Sequence, residues 1–119
     1  MELTSTAIDA LVDDQITGVS SPALADLVRR LRVPPRLEFR PWDYGGADAY
    51  PCWIVLEHPS SNTAVAYSDA GFGPKAPWGL LFRKGLHQSM GMDSGWFGTL
   101  EEAVRDSHAI NDLREIDGV

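Results

Sequence analysis

The N-terminal part of the chain places its apolar residues at helical spacing. Two helices are predicted there, over residues 5–17 and 21–32. Gly18 is expected to end the first helix, because glycine is favoured just beyond a helix C-terminus. Ser21 supplies an N-cap for the second helix, and Pro22 suits its first turn. The buried stripe of the second helix follows an i, i+3, i+4, i+7 pattern, formed by Leu24, Leu27, Val28 and Leu31.

The apolar period changes from helical to strand-like at Arg36. From there to Arg40, charged and apolar residues alternate, which is typical of a half-buried strand. Leu37 and Phe39 are expected to face the core, and the charged side chains between them are expected to face solvent. Pro41 follows and favours a position near a sheet edge.

Three more strands are predicted, over residues 52–58, 63–68 and 78–83, with a four-residue turn at 59–62 joining the first two. The segment 84–98 is rich in glycine and has no clear period.

The turn implies a register for the central hairpin. It places Leu56 opposite Val65 and Ile54 opposite Tyr67, so that these four residues form one apolar face. The opposite face would then carry Trp53, Val55 and Ala66.

Thr99 and Glu102 form a capping box that starts a last helix, predicted to run to about Leu113. The predicted fold class is α+β. It has an antiparallel meander of about four strands over residues 36–83, with two N-terminal helices and one C-terminal helix packed on it. The length of 119 residues favours a single domain over residues 1–119.

The charge of the chain is strongly negative, with a formal net charge of −7 and a pI near 4.7. This balance argues against free nucleic acid as a partner and favours a basic protein.

The N-terminus has no basic, apolar leader pattern, and no apolar run approaches the ~18 residues of a membrane span. The lone cysteine, Cys52, lies in an apolar run, where a buried and inert thiol is expected. A cytoplasmic protein with no membrane association is therefore predicted, and the sequence gives no indication of oligomeric state.

No motif for catalysis, metal binding or a cofactor is recognisable. His58, His87 and His108 are far apart and have no metal-ligand spacing. The segment 87–91 resembles a degenerate nucleophile elbow, but the chain is too short for the α/β sheet that such an elbow needs. No catalytic residue, metal ligand or cofactor is therefore predicted.

Aromatic residues are concentrated in residues 42–97, which hold all four tryptophans, all three tyrosines and three of the four phenylalanines. Glycines are interleaved with them, and large rings beside glycines suit a shaped binding surface. The candidate partner-binding residues are these aromatics and neighbouring acids: Trp42, Asp43, Tyr44, Asp69, Phe72, Trp78, Asp93 and Trp96.

Protein binding by a small acidic domain is the favoured function. Its most concrete version is a bacterial immunity- or antitoxin-type protein that inhibits a basic toxin domain. One alternative is a helix-turn-helix-like regulator that uses residues 5–32. A second alternative is a small enzyme with a site in the 84–98 loop.

Overall fold

The computed structural model describes residues 4–41, 49–69, 72–84 and 95–116, with only the backbone of residues 114–116. Within them the chain has an α+β fold around a five-stranded antiparallel sheet, so the predicted fold class is confirmed, with one strand more than expected. The strands follow the chain order across the sheet. The elements are α1 (Ser5–Thr17), α2 (Pro22–Leu31), β1 (Arg32–Pro41), β2 (Ala49–His58), a short 3₁₀ turn (Pro59–Ser61), β3 (Thr63–Tyr67), β4 (Trp78–Phe82), β5 (Trp96–Phe97), α3 (Leu100–Arg105) and α4 (Ile110–Ile116).

Both N-terminal helices begin as predicted, each directly after a residue that caps it. Thr4 Oγ1 accepts a hydrogen bond from the Ala7 N–H at 3.1 Å, and Ser21 Oγ accepts one from the Leu24 N–H at 3.3 Å. These contacts satisfy backbone donors that a helix start leaves without partners. The second helix ends at Leu31, and the chain continues directly into β1.

The C-terminal helix is two helices, so the prediction of one helix to Leu113 is wrong. The start is as predicted, because Thr99 Oγ1 accepts from the Glu102 N–H at 3.1 Å. The first helix ends at Arg105, and the Ser107 hydroxyl donates to the Val104 carbonyl at 2.6 Å. A side-chain hydrogen bond of this kind competes with the backbone hydrogen bonds of a helix. The break could not be predicted from the sequence, because no glycine or proline marks it.

A bulge in β2 corrects the predicted register. Leu56 does lie opposite Val65, but Ile54 lies opposite Ala66, and Tyr67 pairs with Trp53. The extra residue interrupts the strand alternation, so Val55 and Leu56 both pack on the helix side while Ile54 packs on the other. The prediction that Ile54 and Leu56 share a face is therefore wrong.

The predicted orientation of β1 is also wrong. Leu37 and Phe39 are 41% and 63% exposed, whereas Arg40 is only 3% exposed. The strand starts at Arg32 rather than Arg36, and its register with β2 is irregular between those two residues. Charged and apolar residues do alternate along β1 as predicted, but the charged face of the strand is the one that faces inward.

The sheet has an apolar cluster on each face. The helix-side cluster joins residues of α1, α2 and α3 to Val55, Leu56, Val65 and Trp78. The inner cluster lies on the opposite face and contains Cys52, Ile54, Ala64, Ala66, Leu81 and Trp96. Thus the second face of the sheet is also largely buried.

Gly79 allows β5 to complete the inner cluster. It lies opposite Trp96, and the indole ring crosses so closely that a Cβ on Gly79 would clash with it. No helix within the described ranges is long and apolar enough to cross a membrane.

Candidate functional site

Five charged side chains of alternating sign form a chain of ion pairs beside the inner cluster. We call it the charged network, and its members are Arg83, Glu57, Arg36, Glu38 and Arg40. The contacts are short, with Arg83 Nε 2.6 Å from Glu57 Oε2 and Arg40 Nη2 2.7 Å from Glu38 Oε1. Arg36 bridges the two carboxylates through contacts of 2.9 and 3.0 Å.

The charged network also bridges strands that are not neighbours. Arg40 on β1 donates from Nη1 to the Phe82 carbonyl on β4 at 3.0 Å. Since β2 and β3 lie between these strands, the sheet must curl towards the side of the inner cluster. The network therefore anchors the inward, polar side of β1.

The electrostatics of the charged network favour the ionised forms of Glu57, Glu38 and Arg36. The hydrogen bond from Arg83, followed by the one from Arg36, holds the pKa of Glu57 below its ordinary value despite partial burial. Burial opposes ionisation of Glu38, but hydrogen bonds from Arg40 and Arg36 outweigh it and lower the pKa of that carboxyl. The pKa of Arg36 is raised by Glu57 and Glu38. These three groups are thus fixed charges near neutral pH.

The other side of β1 presents an apolar surface, which we call the β1 strip and define as Leu37 and Phe39. Leu37 lies opposite Trp53, which in turn lies opposite Tyr67 on β3. The Tyr67 ring meets the Trp78 ring edge-on, with centroids 5.0 Å apart. The β1 strip is therefore the exposed end of a row of aromatic side chains that becomes buried towards β4.

The predicted partner-binding residues do not all lie at the surface. Trp78 and Trp96 are only 2% and 4% exposed, so neither ring is presented to a partner. Phe72 is half-buried with its ring centroid 5.9 Å from that of Trp96, and Asp69 is exposed. The remaining four, Trp42, Asp43, Tyr44 and Asp93, lie outside the described residues.

The meander places several of these positions at one end of the sheet. Pro41 and Ala49, which lie opposite each other, begin and finish the connection between β1 and β2. The connection between β3 and β4 leaves at the same end, because Tyr67 lies opposite Trp78. We call this end the loop end and define it by Pro41, Ala49, Asp69, Phe72 and Pro77.

Sequence reasoning missed the β1 strip because it assigned Leu37 and Phe39 to the core. Pro41 correctly predicted that the strand lies at a sheet edge, but an edge position does not say which face of the strand is exposed. Alternation alone cannot say which of two faces is buried.

A polar cluster around His58 was also missed. His58 Nδ1 lies 2.7 Å from Ser61 Oγ, and its Nε2 lies 2.9 Å from Asp112 Oδ2. This arrangement resembles the relay of serine hydrolases, but the Ser61 hydroxyl lies 2.6 Å from Thr63 Oγ1 and 3.3 Å from the His58 carbonyl. A hydroxyl engaged with its own turn is poorly placed to attack a substrate. The cluster instead joins the β2–β3 turn to α4.

Two arginines at the end of α2 and the start of β1, Arg29 and Arg32, are engaged with carboxylates. Arg32 contacts Asp13 at 2.6 Å and Asp9 at 3.1 Å, and Arg29 contacts Asp26 at 3.1 Å. A helix-turn-helix surface needs such side chains for phosphate contacts.

Across the described ranges, no group of three or more potential metal ligands comes together. The segment proposed for an enzyme site, 84–98, lies mostly outside the described residues. Comparison of the chain with protein-family models, with curated proteins and with solved structures finds no match.

Proposed function

We propose that this chain is a small acidic, cytoplasmic protein-binding domain of the immunity or antitoxin type, whose partner is a basic toxin domain. The observation that carries the proposal is the loop end, where Asp69 is exposed and the half-buried ring of Phe72 packs beside the buried indole of Trp96. An exposed acid and a partly exposed aromatic ring that packs on a buried indole are both suited to a cationic protein surface.

The mechanism has two physical parts. The net charge of −7 attracts a basic partner from a distance and speeds encounter. Burial of Phe72 against the partner would then slow dissociation, because ring contacts of this kind dominate binding hot spots. An inhibitor of this type acts by covering the active site of its partner and needs no catalytic group of its own.

The proposal is tested by affinity capture from the native host, followed by measurement of binding kinetics with the purified partner. Asp69→Lys should slow association, and Phe72→Ala should speed dissociation. Phe82→Ala is the matched control, because Phe82 is 46% exposed and lies at the opposite end of β4.

The expected partner is basic, and inhibition of its activity by this chain would support the inhibitor role. Equal binding by all three variants would place the interface away from the loop end. Failure to recover any basic partner at low salt would contradict the proposal.

A further inference from the structure

We infer that two copies of this chain pair through the outer edge of β1 and form one continuous antiparallel sheet. This interaction goes beyond the proposed function, because it uses the sheet edge and leaves the loop end open. Among the described residues, β1 is an edge strand with no strand on its outer side.

The prolines reveal which backbone groups of β1 point outward. Pro41 lies opposite Ala49, and Phe39 lies opposite Pro51. Proline has no N–H, so the ladder is intact only if these two pairs are the non-hydrogen-bonded ones. Hydrogen-bonded and non-hydrogen-bonded pairs alternate in an antiparallel ladder, so the Leu37 pair is also non-hydrogen-bonded. The N–H and C=O groups of Leu37 and Phe39 therefore point away from β2.

The same two residues expose their side chains, at 41% and 63%. The outer edge thus combines free backbone donors and acceptors with a short apolar strip. An edge with these properties is a template for another strand unless charge or proline blocks it. Here Pro35 and Pro41 restrict pairing to the few residues between them.

The charge pattern of β1 favours a second copy as the occupant. In a two-fold antiparallel pairing centred on Phe39, Glu38 of each copy lies opposite Arg40 of the other. Phe39 then bonds to its own counterpart, and the Leu37 N–H reaches the Pro41 carbonyl. Every outward N–H of the strip therefore finds an acceptor.

A neighbouring register is disfavoured by the same charges. A two-fold axis at Glu38 would place the two Glu38 carboxylates opposite each other and Arg36 opposite Arg40. Like charges directly opposite destabilise a strand pair. The sequence from Arg36 to Arg40 is thus self-complementary when the axis lies at Phe39 and repulsive when the axis lies at Glu38.

The pairing is tested by sedimentation of the purified chain from about 10 µM to about 1 mM, a range that covers weak to moderate dimers. The wild type should become dimeric as concentration rises. Phe39→Lys should weaken dimerisation by at least about tenfold, because a lysine must be desolvated at the edge. Phe82→Lys is the matched control on β4, and it should dimerise like the wild type.

Hydrogen exchange followed by NMR identifies the interface. The amides of Leu37 and Phe39 should gain protection with concentration, whereas the Glu38 amide, which points towards β2, should be protected throughout. A wild type that stays monomeric over this range would overturn the inference. So would a Phe39→Lys variant that still dimerises, or dimerisation that leaves the Leu37 and Phe39 amides exchanging as fast as in the monomer.

Discussion

Glu57 and Glu38 show how single residues determine which side of β1 meets the solvent. Both carboxylates are paired with arginines on the inward side of the sheet, and their pKa values are lowered. Rotating the strand to bury Leu37 and Phe39 would break these pairs. Leu37 and Phe39 therefore remain exposed because the charged side chains on the opposite face of β1 keep their ion pairs.

Glu57→Gln should make stability less dependent on pH. A carboxyl whose pKa is lowered by folding contributes stability above its unfolded value of about 4.3, and that contribution is lost as the pH falls through the folded pKa. The variant should therefore be about 1–3 kcal/mol less stable at pH 7, and the difference should shrink as the pH falls below about 4. Denaturant unfolding over a pH series measures this, with the exposed Asp14→Asn as control. A difference of constant size at every pH would show that packing, not charge, is lost.

Cys52 should be unreactive in the native protein. Burial raises the pKa of its thiol to about 11, so little thiolate exists at pH 8. The side chain is also 0% exposed. A disulfide reagent such as DTNB should label it only as fast as the protein opens, and at once in denaturant. Rapid labelling of the folded chain would show that the inner cluster is open to solvent.

At the scale of elements, the sequence predicted most reliably what is controlled locally. The starts of α1, α2 and α3 depend on caps a few residues away, and those three predictions are confirmed. The bulge at Val55 and the orientation of β1 depend on residues far along the chain, such as Arg83 for Glu57. Periodicity carries no information about such contacts, so it could not find them.

The contact between β4 and β5 can be tested by a double-mutant cycle. Gly79→Ala places a Cβ against the Trp96 ring and should cost about 1–3 kcal/mol. Trp96→Ala should cost about 3–5 kcal/mol, because the ring is buried. In the Trp96→Ala background the methyl group meets no ring, so Gly79→Ala should then cost less than about 1 kcal/mol.

Thermal or denaturant unfolding provides the free energies for this cycle. Gly18→Ala is a suitable control, since a Cβ there would meet only backbone oxygens at ordinary distances of 3.6 and 3.8 Å. Equal costs of Gly79→Ala in both backgrounds would mean that the indole does not lie across the glycine.

At the scale of the whole molecule, the sequence showed the acidic charge and the concentration of aromatic residues. It did not show which aromatic side chains are buried and which are exposed. Trp78 and Trp96 are interior side chains, and Phe72 retains partial exposure. All three have a glycine directly beside them in the sequence. The difference in burial among the three rings comes from the curl of the sheet and from the pairing of β5 with β4.

The net charge of −7 makes opposite predictions for the two proposed associations. Two copies repel each other at long range, and salt screens that repulsion within a Debye length of about 10 Å at 0.1 M. Because Arg40 is buried and Glu38 half-buried, their cross-strand attraction is screened less. Raising salt from about 20 mM to about 300 mM should therefore strengthen self-association.

A basic partner at the loop end should respond in the other direction, with association slowed by the same salt while dissociation changes little. Sedimentation of the chain alone and binding kinetics with the partner, each at both salt concentrations, separate the two interfaces. Self-association that weakens with salt would mean that local charge pairs dominate the β1 edge. Partner binding that strengthens with salt would contradict electrostatic steering as the reason for the acidic composition. That result would leave the pairing of β1 with a second copy unaffected, because sedimentation of the chain alone tests it separately.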